Sequence, residues 1–274
     1  MISVRLNGGL GNQMFQYAFG YALSKKKQTS LSFDIDGFDS DKLRDYELFL
    51  YGISCNLKPK NRFKILMGKI IHRLTRNNVI SSYHKERAFQ FDKKVFNSTN
   101  NTYFDGYWQS EKYFICYRNE LLEIFTLKNN IHQATKEYQK QINACNSVSL
   151  HIRRGDYVSS VKINSVHGVC DISYYKKAIE LLNNKVRNLH VFIFRDDLGW
   201  AKDNLNFVNN TIFVELDKNI PDHEEMYLMS LCKHNIIANS SFSWWGAWLN
   251  QNPDKKVVAP KQWFIDSSIN TKDL

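Results

Sequence analysis

The chain has 274 residues, enough for one large domain or two domains of ordinary size. Its 43% hydrophobic and 23% charged residues are typical of a globular protein, which excludes a wholly disordered chain. A formal net charge of +10 favours anionic partners, so nucleotides, nucleic acids and anionic membrane surfaces all remain open at this point.

Targeting and redox signals point to the cytoplasm. Five cysteines are scattered without a C-x-x-C spacing, a pattern that predicts reduced thiols and neither a disulfide framework nor a zinc site. The N-terminal residues lack the order of a signal peptide, and no stretch approaches the roughly 20 apolar residues that span a bilayer. We therefore expect a cytoplasmic location.

The first predicted strand, residues 2–6, runs into a glycine-rich turn, Gly8-Gly9-Leu10-Gly11, and then into an apolar helical pattern. Glycines in this position let backbone amides at a helix N-terminus approach an anion or a sugar closely. The G-G-x-G spacing differs from a dinucleotide fingerprint, so a simple tight turn remains an alternative. Asn12 and Gln13 follow the turn, and we expect their amides to face a ligand cleft.

Three further segments of the first half each allow two interpretations. A second strand, 30–35, leads to Asp34 and Asp36, which suggest either a metal-binding D-x-D pattern or turn capping. Residues 58–76 are basic and amphipathic, as in a helix on an anionic membrane or a surface helix packed on its domain. Residues 102–109 form an aromatic strand that suits sugar binding or a buried core, followed by a predicted helix over 111–125.

The second half alternates strands and helices regularly after a polar helical stretch. This order predicts a parallel, doubly wound sheet. With the less regular first half it predicts an α/β fold of two Rossmann-like domains facing a central cleft, residues 1–144 and 145–274. The predicted strands are 148–152, 189–194, 211–214, 235–238 and 256–259, the predicted helices are 173–185, 198–205 and 222–232, and a long loop contains His167 and Gly168.

Charged and polar groups follow three of these strands, and right-handed crossovers bring such loops to one sheet edge. Arg153 and Arg154 can hold a diphosphate without a metal, or one of them pairs with Asp156 at the strand end. Asp196 and Asp197 suit ribose or guanine, or helix capping. The segment 239–242, Asn-Ser-Ser-Phe, can receive a phosphate or cap a helix. The edge is therefore a predicted nucleoside diphosphate site.

Three segments together carry a family resemblance: GGLGNQMFQY at 8–17, HIRRGDY at 151–157 and NSSFSWWG at 239–246. They closely resemble the bacterial α-1,2-fucosyltransferases of glycosyltransferase family 11, and the resemblance runs from Ser3 to about Asn270. It implies a GT-B fold in which residues 1–144 form the acceptor-side domain and residues 145–274 the domain that binds the donor GDP-fucose, with a terminal β-galactoside as acceptor. It also implies inversion at the anomeric carbon without a metal or other cofactor, in the synthesis of a surface glycan such as O-antigen.

The resemblance also implies roles for individual residues. Arg153 would bind the diphosphate and stabilise the leaving group, while the serines and phenylalanine of 240–242 hold the nucleotide from the other side and Asn12 and Gln13 lie near the fucose. Asp156 is the first candidate for general base and His151 the second. The predicted catalytic residues are Arg153, Asp156 and Asn12, and the predicted substrate-binding residues are Gly11, Gln13, His151, Arg154, Asp196, Asp197, Asn239, Ser240, Ser241, Phe242 and Trp245.

Two departures from the family pattern and two rival functions stay open. Arg195 stands where the family usually has a serine, and relatives continue past Leu274 with a short tail, which leaves open whether the C-terminus is trimmed. The rivals are a non-catalytic basic module for nucleotide or nucleic acid, and a glycosyltransferase that uses another nucleotide sugar. Basic residues spread through both halves argue against nucleic acid, whereas peripheral contact of 58–76 with the inner membrane is undecided.

Overall fold

A computed structural model describes residues 1–41, 43–54, 66–68, 70–71, 73, 82–127, 131–155, 158, 161–205 and 208–273. The chain divides into two compact units, unit 1 (Met1–Lys128 with Ile269–Leu274) and unit 2 (Asn129–Ser268). Each unit contains a parallel β-sheet with helices, which confirms the α/β class. The predicted GT-B arrangement around a cleft stays a prediction.

Unit 1 is built on four parallel strands in the described residues, in the order β2-β1-β4-β3. Ile2 and Val4 of the first strand are fully buried, because their alternation turns them to the sheet face covered by the first helix. The strands are β1 (Ile2–Arg5), β2 (Leu31–Asp34), β3 (Tyr83–Lys85) and β4 (Tyr103–Asp105), and the helix is α1 (Leu10–Lys26).

The helix predicted over 111–125 is interrupted, which corrects that part of the prediction. Two 3-10 turns, Glu111–Tyr113 and Ile115–Tyr117, precede a short helix α2 (Arg118–Ile124). Phe114 separates the turns with φ −136° and ψ 0°, outside the helical region. Its ring is fully buried and packs against Phe15 of α1, so aromatic packing overrides the helical pattern here.

Unit 2 contains five parallel strands in its described residues, in the order β7-β6-β5-β8-β9. The central strand β5 is buried on both faces, as expected of a strand with helices on either side. The elements are α3 (Gln133–Asn143), β5 (Asn146–Ile152), α4 (Val161–His167), α5 (Ile172–Asn183), β6 (Leu189–Arg195), α6 (Leu198–Asn204), β7 (Thr211–Phe213), α7 (Asp222–Leu231), β8 (His234–Ile236), α8 (Ser241–Leu249) and β9 (Val257–Val258).

Two features of unit 2 differ from the prediction. Helix α4 occupies part of the segment expected to be a long loop. The division between the units falls at 128/129 and not at 144/145, because α3 packs against α7 and β5.

Most of the basic segment 58–76 lies outside the described residues, apart from helical residues at 66–68, 70–71 and 73. None of the helices in the described ranges has the length and apolar character needed to cross a bilayer.

Candidate functional site

The carboxyl edge of the unit 2 sheet is a natural place for a ligand. From β5 the chain moves through β6 to β7 on one side, whereas β8 and β9 lie on the other. The strand order therefore reverses between β5 and β8, and open α/β sheets bind ligands outside the carboxyl ends of the strands at such a point. The segments that follow β5 and β8 contain the two arginines and the two serines predicted from the sequence.

Both arginines that follow β5 pair with carboxylates that follow β6. Arg153 Nη1 lies 3.1 Å from Asp196 Oδ2, and both side chains remain about one quarter exposed. Arg154 Nε lies 3.4 Å from Asp197 Oδ2, and its guanidinium stacks over the Trp200 ring at 4.3 Å. The structure thus brings together the four residues predicted from separate strands.

The two aspartates also perform structural roles. Asp196 Oδ1 accepts a hydrogen bond from the backbone N of Arg154 at 2.7 Å, and a Cβ on Gly155 would lie 3.1 Å from Asp196 Oδ2. Asp197 caps α6 by accepting from the backbone N of Trp200 at 3.0 Å. Arg153, the more exposed of the two arginines, is therefore the one best placed to meet an anion, while Arg154 fixes the loop on Trp200.

His151 is buried at the end of β5 and is electrically neutral at physiological pH. Burial lowers the pKa of His151 to about 3, and the charge of Arg153 adds to the effect. Its ring lies 5.9 Å from that of Phe242, and its Nδ1 has no hydrogen-bond partner among the described residues. An imidazole with so low a pKa is a poor proton acceptor, which argues against His151 as a general base but leaves it able to exchange a hydrogen bond with a ligand.

The segment after β8 contains both exposed and buried members of the predicted set. Ser240 caps α8 by accepting from the backbone N of Phe242 at 3.3 Å, and Ser241 and Phe242 open the helix with partly exposed side chains. Asn239 is buried, and its Nδ2 donates to the backbone O atoms of His167, Gly168 and Trp263. Asn239 thus joins three segments of unit 2.

Trp245 lies in the core and not at the ligand edge. It is fully buried, and its ring packs edge-on against Trp244 at 5.2 Å and Trp248 at 5.0 Å. This position places Trp245 among the residues that hold α8, at odds with its predicted contact with substrate.

Of two carboxyl groups considered for acid–base chemistry, one was predicted from the sequence and the other was not. The predicted base, Asp156, lies outside the described residues. Glu225, in α7, was not predicted. Burial raises the pKa of Glu225 to about 7, with Asp222 and Asp196 adding to the rise while Arg195 and Arg153 oppose it. No sequence motif identifies Glu225 as a functional residue, because it comes near these charges only through the packing of α7.

In unit 1 the glycine-rich turn joins β1 to α1 and is held by buried amides. Gly8 adopts φ +77°, and a Cβ there would lie 2.6 Å from Asn12 Nδ2, so the turn requires glycine. Asn12 is partly exposed, and its Oδ1 accepts from Gln109 Nε2 at 2.7 Å. Gly11 lies buried in the first turn of α1.

Gln13 was predicted to face a ligand, but it is fully buried. Its Nε2 donates to the backbone O atoms of Gly8 and Asp45, both at 2.8 Å, and its Oε1 accepts from the backbone N of Glu47 at 2.9 Å. Because the amide makes all these bonds to backbone, Gln13 positions the glycine turn.

The D-x-D segment at the end of β2 caps a turn. Asp34 Oδ1 accepts from the backbone N of Asp36 at 3.1 Å, and Asp34 Oδ2 accepts from the Tyr103 hydroxyl at 2.5 Å. Within the described part of the chain, no three His, Cys, Asp or Glu side chains are grouped as ligands for a metal ion.

Comparison with known proteins relates the chain to glycosyltransferases. Residues 1–273 match the sequence profile described as Glycosyl transferase family 11. The chain is 38% identical to an alpha-1,2-colitosyltransferase of Escherichia coli, with 100% of this chain and 96% of the relative aligned. It is 34% identical to the O-antigen biosynthesis glycosyltransferase WbnK of Escherichia coli, over 96% and 95% of the two chains.

Mammalian and structural relatives are more distant. The chain is 22% identical to the galactoside 2-alpha-L-fucosyltransferase SEC1 of Bos taurus, over 91% of this chain and 64% of the relative. Among solved structures it is similar to the fucosyltransferase NodZ from Bradyrhizobium, with a TM-score of 0.48 and 13% identity over 89% and 92% of the two chains.

Proposed function

The chain belongs to glycosyl transferase family 11, and we propose that it transfers L-fucose from GDP-β-L-fucose to the 2-hydroxyl of a terminal β-galactoside. The product would be an α-1,2 linkage in a surface glycan of the O-antigen type. The observation that supports this most strongly is Arg153, a partly exposed guanidinium beside Asp196 where the strand order of unit 2 reverses. Relatives named for α-1,2 transfer and for O-antigen synthesis support the linkage and the setting.

The proposed reaction is a direct displacement with inversion. The acceptor oxygen attacks the anomeric carbon of fucose, the bond from that carbon to the β-phosphate oxygen breaks, and GDP leaves with the bonding electrons. Arg153 stabilises the negative charge that grows on the diphosphate, a role that a metal plays in other transferases. The proton of the acceptor hydroxyl passes to a carboxylate, for which we propose Asp156, with Glu225 as the second candidate.

Replacement of Arg153 by alanine tests the diphosphate role. We expect kcat for GDP release with lactose as acceptor to fall about 10²–10³-fold, the usual loss when one group that stabilises the transition-state charge is removed. Arg187→Ala is the matched control, because Arg187 is an exposed arginine of the same unit. Turnover of Arg153→Ala equal to that of the wild type, at an unchanged melting temperature, would remove Arg153 from the mechanism.

Metal independence is tested by the same GDP-release assay. We expect EDTA to leave the rate nearly unchanged, because Arg153 supplies the positive charge that the leaving group needs. A strict requirement for a divalent cation would contradict the proposal and direct attention to the Asp34 and Asp36 pair.

A second donor has specific support. The relative with 38% identity is named a colitosyltransferase, and colitose is L-fucose without its 3-hydroxyl. Comparison of kcat/KM for GDP-fucose and GDP-colitose distinguishes the two donors, and a higher value for GDP-colitose would identify colitose as the sugar transferred.

Salt-sensitive binding to RNA or DNA without affinity for GDP would instead favour the non-catalytic module.

A further inference from the structure

Unit 1 has its own point of strand-order reversal, separate from the arginine pair of unit 2. In the order β2-β1-β4-β3 the chain passes from β1 to β2 on one side, whereas β4 and β3 lie on the other. The carboxyl ends of β1 and β4 therefore flank the place where such a sheet is expected to bind a ligand. These ends are Arg5 and Asp105.

Arg5 and Tyr107 are exposed at this place, beside the mostly buried carboxylate of Asp105, whose Oδ2 also accepts from the Tyr83 hydroxyl. Arg5 Nη1 lies 3.3 Å from Asp105 Oδ1, and 40% of the Arg5 side chain is exposed. Among the described residues Asp105 is the hydrogen-bond partner of this guanidinium, which leaves most of its five N–H donors for a ligand. Tyr107, two residues beyond β4, is 38% exposed and stacks on Phe89 at 6.2 Å with an interplanar angle of 12°.

The loop that presents Tyr107 is held in a strained conformation. Trp108 has φ +58°, which is unfavourable for a residue with a bulky side chain. Glu86 accepts from the backbone N atoms of Tyr107 and Trp108 at 2.6 and 3.0 Å, and the buried Trp108 ring stacks on Phe19 at 4.2 Å. Strain that surrounding contacts maintain in this way is common at ligand-binding loops, where it fixes a side chain before the ligand arrives.

The charges around Tyr107 favour a ligand without net negative charge. Burial raises the pKa of Tyr107, Arg5 opposes the rise, and Glu86 and Asp105 add to it, so all three groups act on its hydroxyl. Asp105 balances the charge of Arg5 and the partly ionised Glu86 adds negative charge, so the place has no excess positive charge to attract a diphosphate. A pyranose suits these groups better, because its C–H face can lie on an aromatic ring while its hydroxyls donate to carboxylates and accept from a guanidinium.

We propose that Tyr107, Arg5 and Asp105 bind the terminal galactose of the acceptor glycan, with the sugar ring stacked on Tyr107. The inference rests on the proposed transfer to a β-galactoside, and it assigns the sugar to residues of unit 1 alone. Asn12 and Gln109 contribute indirectly, because their hydrogen bond ties the Tyr107 loop to the first turn of α1.

Binding of lactose to the full chain without donor tests the site directly. Saturation-transfer NMR should show lactose bound to the wild type, about tenfold weaker binding to Tyr107→Ala, and wild-type binding to Tyr107→Phe, which keeps the ring face. Tyr117→Ala is the matched control, because the Tyr117 ring is also partly exposed but lies away from the proposed site. It contacts Tyr21 at 6.1 Å, and Tyr21 lies about 16 Å along α1 from the first residue of that helix. Tyr107→Leu preserves side-chain bulk should the alanine variant fail to fold.

Kinetics separate this site from the proposed reaction. We expect KM for lactose to rise about tenfold in Tyr107→Ala and in Arg5→Met, with KM for GDP-fucose unchanged. Lactose binding equal in Tyr107→Ala and wild type, or an unchanged KM for lactose, overturns the site while the reaction stands. A wild type that binds lactose through Tyr107 but releases no GDP from GDP-fucose or GDP-colitose overturns the reaction and leaves the site as a sugar-binding site.

Discussion

Glu86 is a single carboxyl group in an environment that opposes its charge. It accepts two backbone hydrogen bonds from the Tyr107 loop, and these favour the ionised form. Burial is the larger effect and raises the pKa of Glu86 from 4.5 to about 7. At neutral pH the side chain that fixes the loop is therefore close to half protonated.

This pKa predicts how stability depends on pH. Between pH 4.5 and about 7 the folded chain holds a proton on Glu86 that the unfolded chain has released, so a rise in pH through this window destabilises the fold. Glu86→Gln does not titrate. We expect the melting temperature of the wild type, measured relative to that of Glu86→Gln, to decrease as pH rises from 4.5 to 7 and to level off above. A difference that stays constant across the window would contradict the raised pKa.

Among the elements of unit 2, α3 is tied to α7 partly by one carboxylate of α7. Glu224 accepts from the backbone N of His132 at 3.1 Å and from the Thr135 hydroxyl at 2.5 Å, and it pairs with His132 Nδ1 at 2.7 Å. Burial acts to raise the pKa of Glu224, but the hydrogen bonds from Thr135 and His132 outweigh it and leave the pKa lowered. A negative charge at the start of α3 is also favourable for the helix dipole.

Removal of this carboxylate should loosen α3. We expect Glu224→Ala to lower the free energy of unfolding by about 2–3 kcal/mol, because hydrogen bonds to a charge are lost and the buried Thr135 hydroxyl loses its partner. Urea denaturation measures the change. Glu137→Ala is the control, since Glu137 lies on the exposed face of α3, and its effect should stay within about 0.5 kcal/mol. Equal losses in the two variants would show that Glu224 is not a specific attachment.

Elements of unit 2 were predictable because their signals are local. The predicted strand 148–152 and the predicted helix 222–232 agree with β5 and α7 to within two residues, because apolar patterns depend on residues near in sequence. By contrast, β3 was not predicted, because its residues Tyr83, His84 and Lys85 include no aliphatic side chain that would mark a strand. The break at Phe114 was also not predicted, because it depends on the ring of Phe15 in α1, which lies about a hundred residues earlier in the sequence.

At the scale of the whole molecule, the chain passes from unit 1 to unit 2 after Lys128 and returns at Ile269. Asp273 accepts from the backbone N of Phe91 at 2.9 Å and pairs with Lys112, which secures the returning segment to unit 1. The sequence did not predict that residues 269–274 belong to unit 1, because this segment is short and its partners lie more than a hundred residues earlier in the chain.

The sequence predicted which charged residues of the candidate site lie together, but it did not predict which side-chain amides are buried. Arg153, Arg154, Asp196 and Asp197 meet because parallel strands bring their carboxyl ends to one edge, a rule that applies from sequence alone. Whether an amide faces a ligand or the backbone depends on tertiary contacts, and both Gln13 and Asn239 proved to be buried. Glu225 was missed for the same reason, because its raised pKa results from burial in the folded chain and no sequence motif indicates it.

The buried amide of Gln13 has a consequence for mutational screens of this chain. Few side chains offer two donors and an acceptor in the geometry that Gly8, Asp45 and Glu47 require, so almost any replacement should abolish activity by disordering the glycine turn. A screen scored on product alone would group Gln13 with Arg153. Measuring the yield of folded protein as well would separate the two positions. Gln13 variants should show low product and low yield, whereas Arg153 variants should show low product at a normal yield.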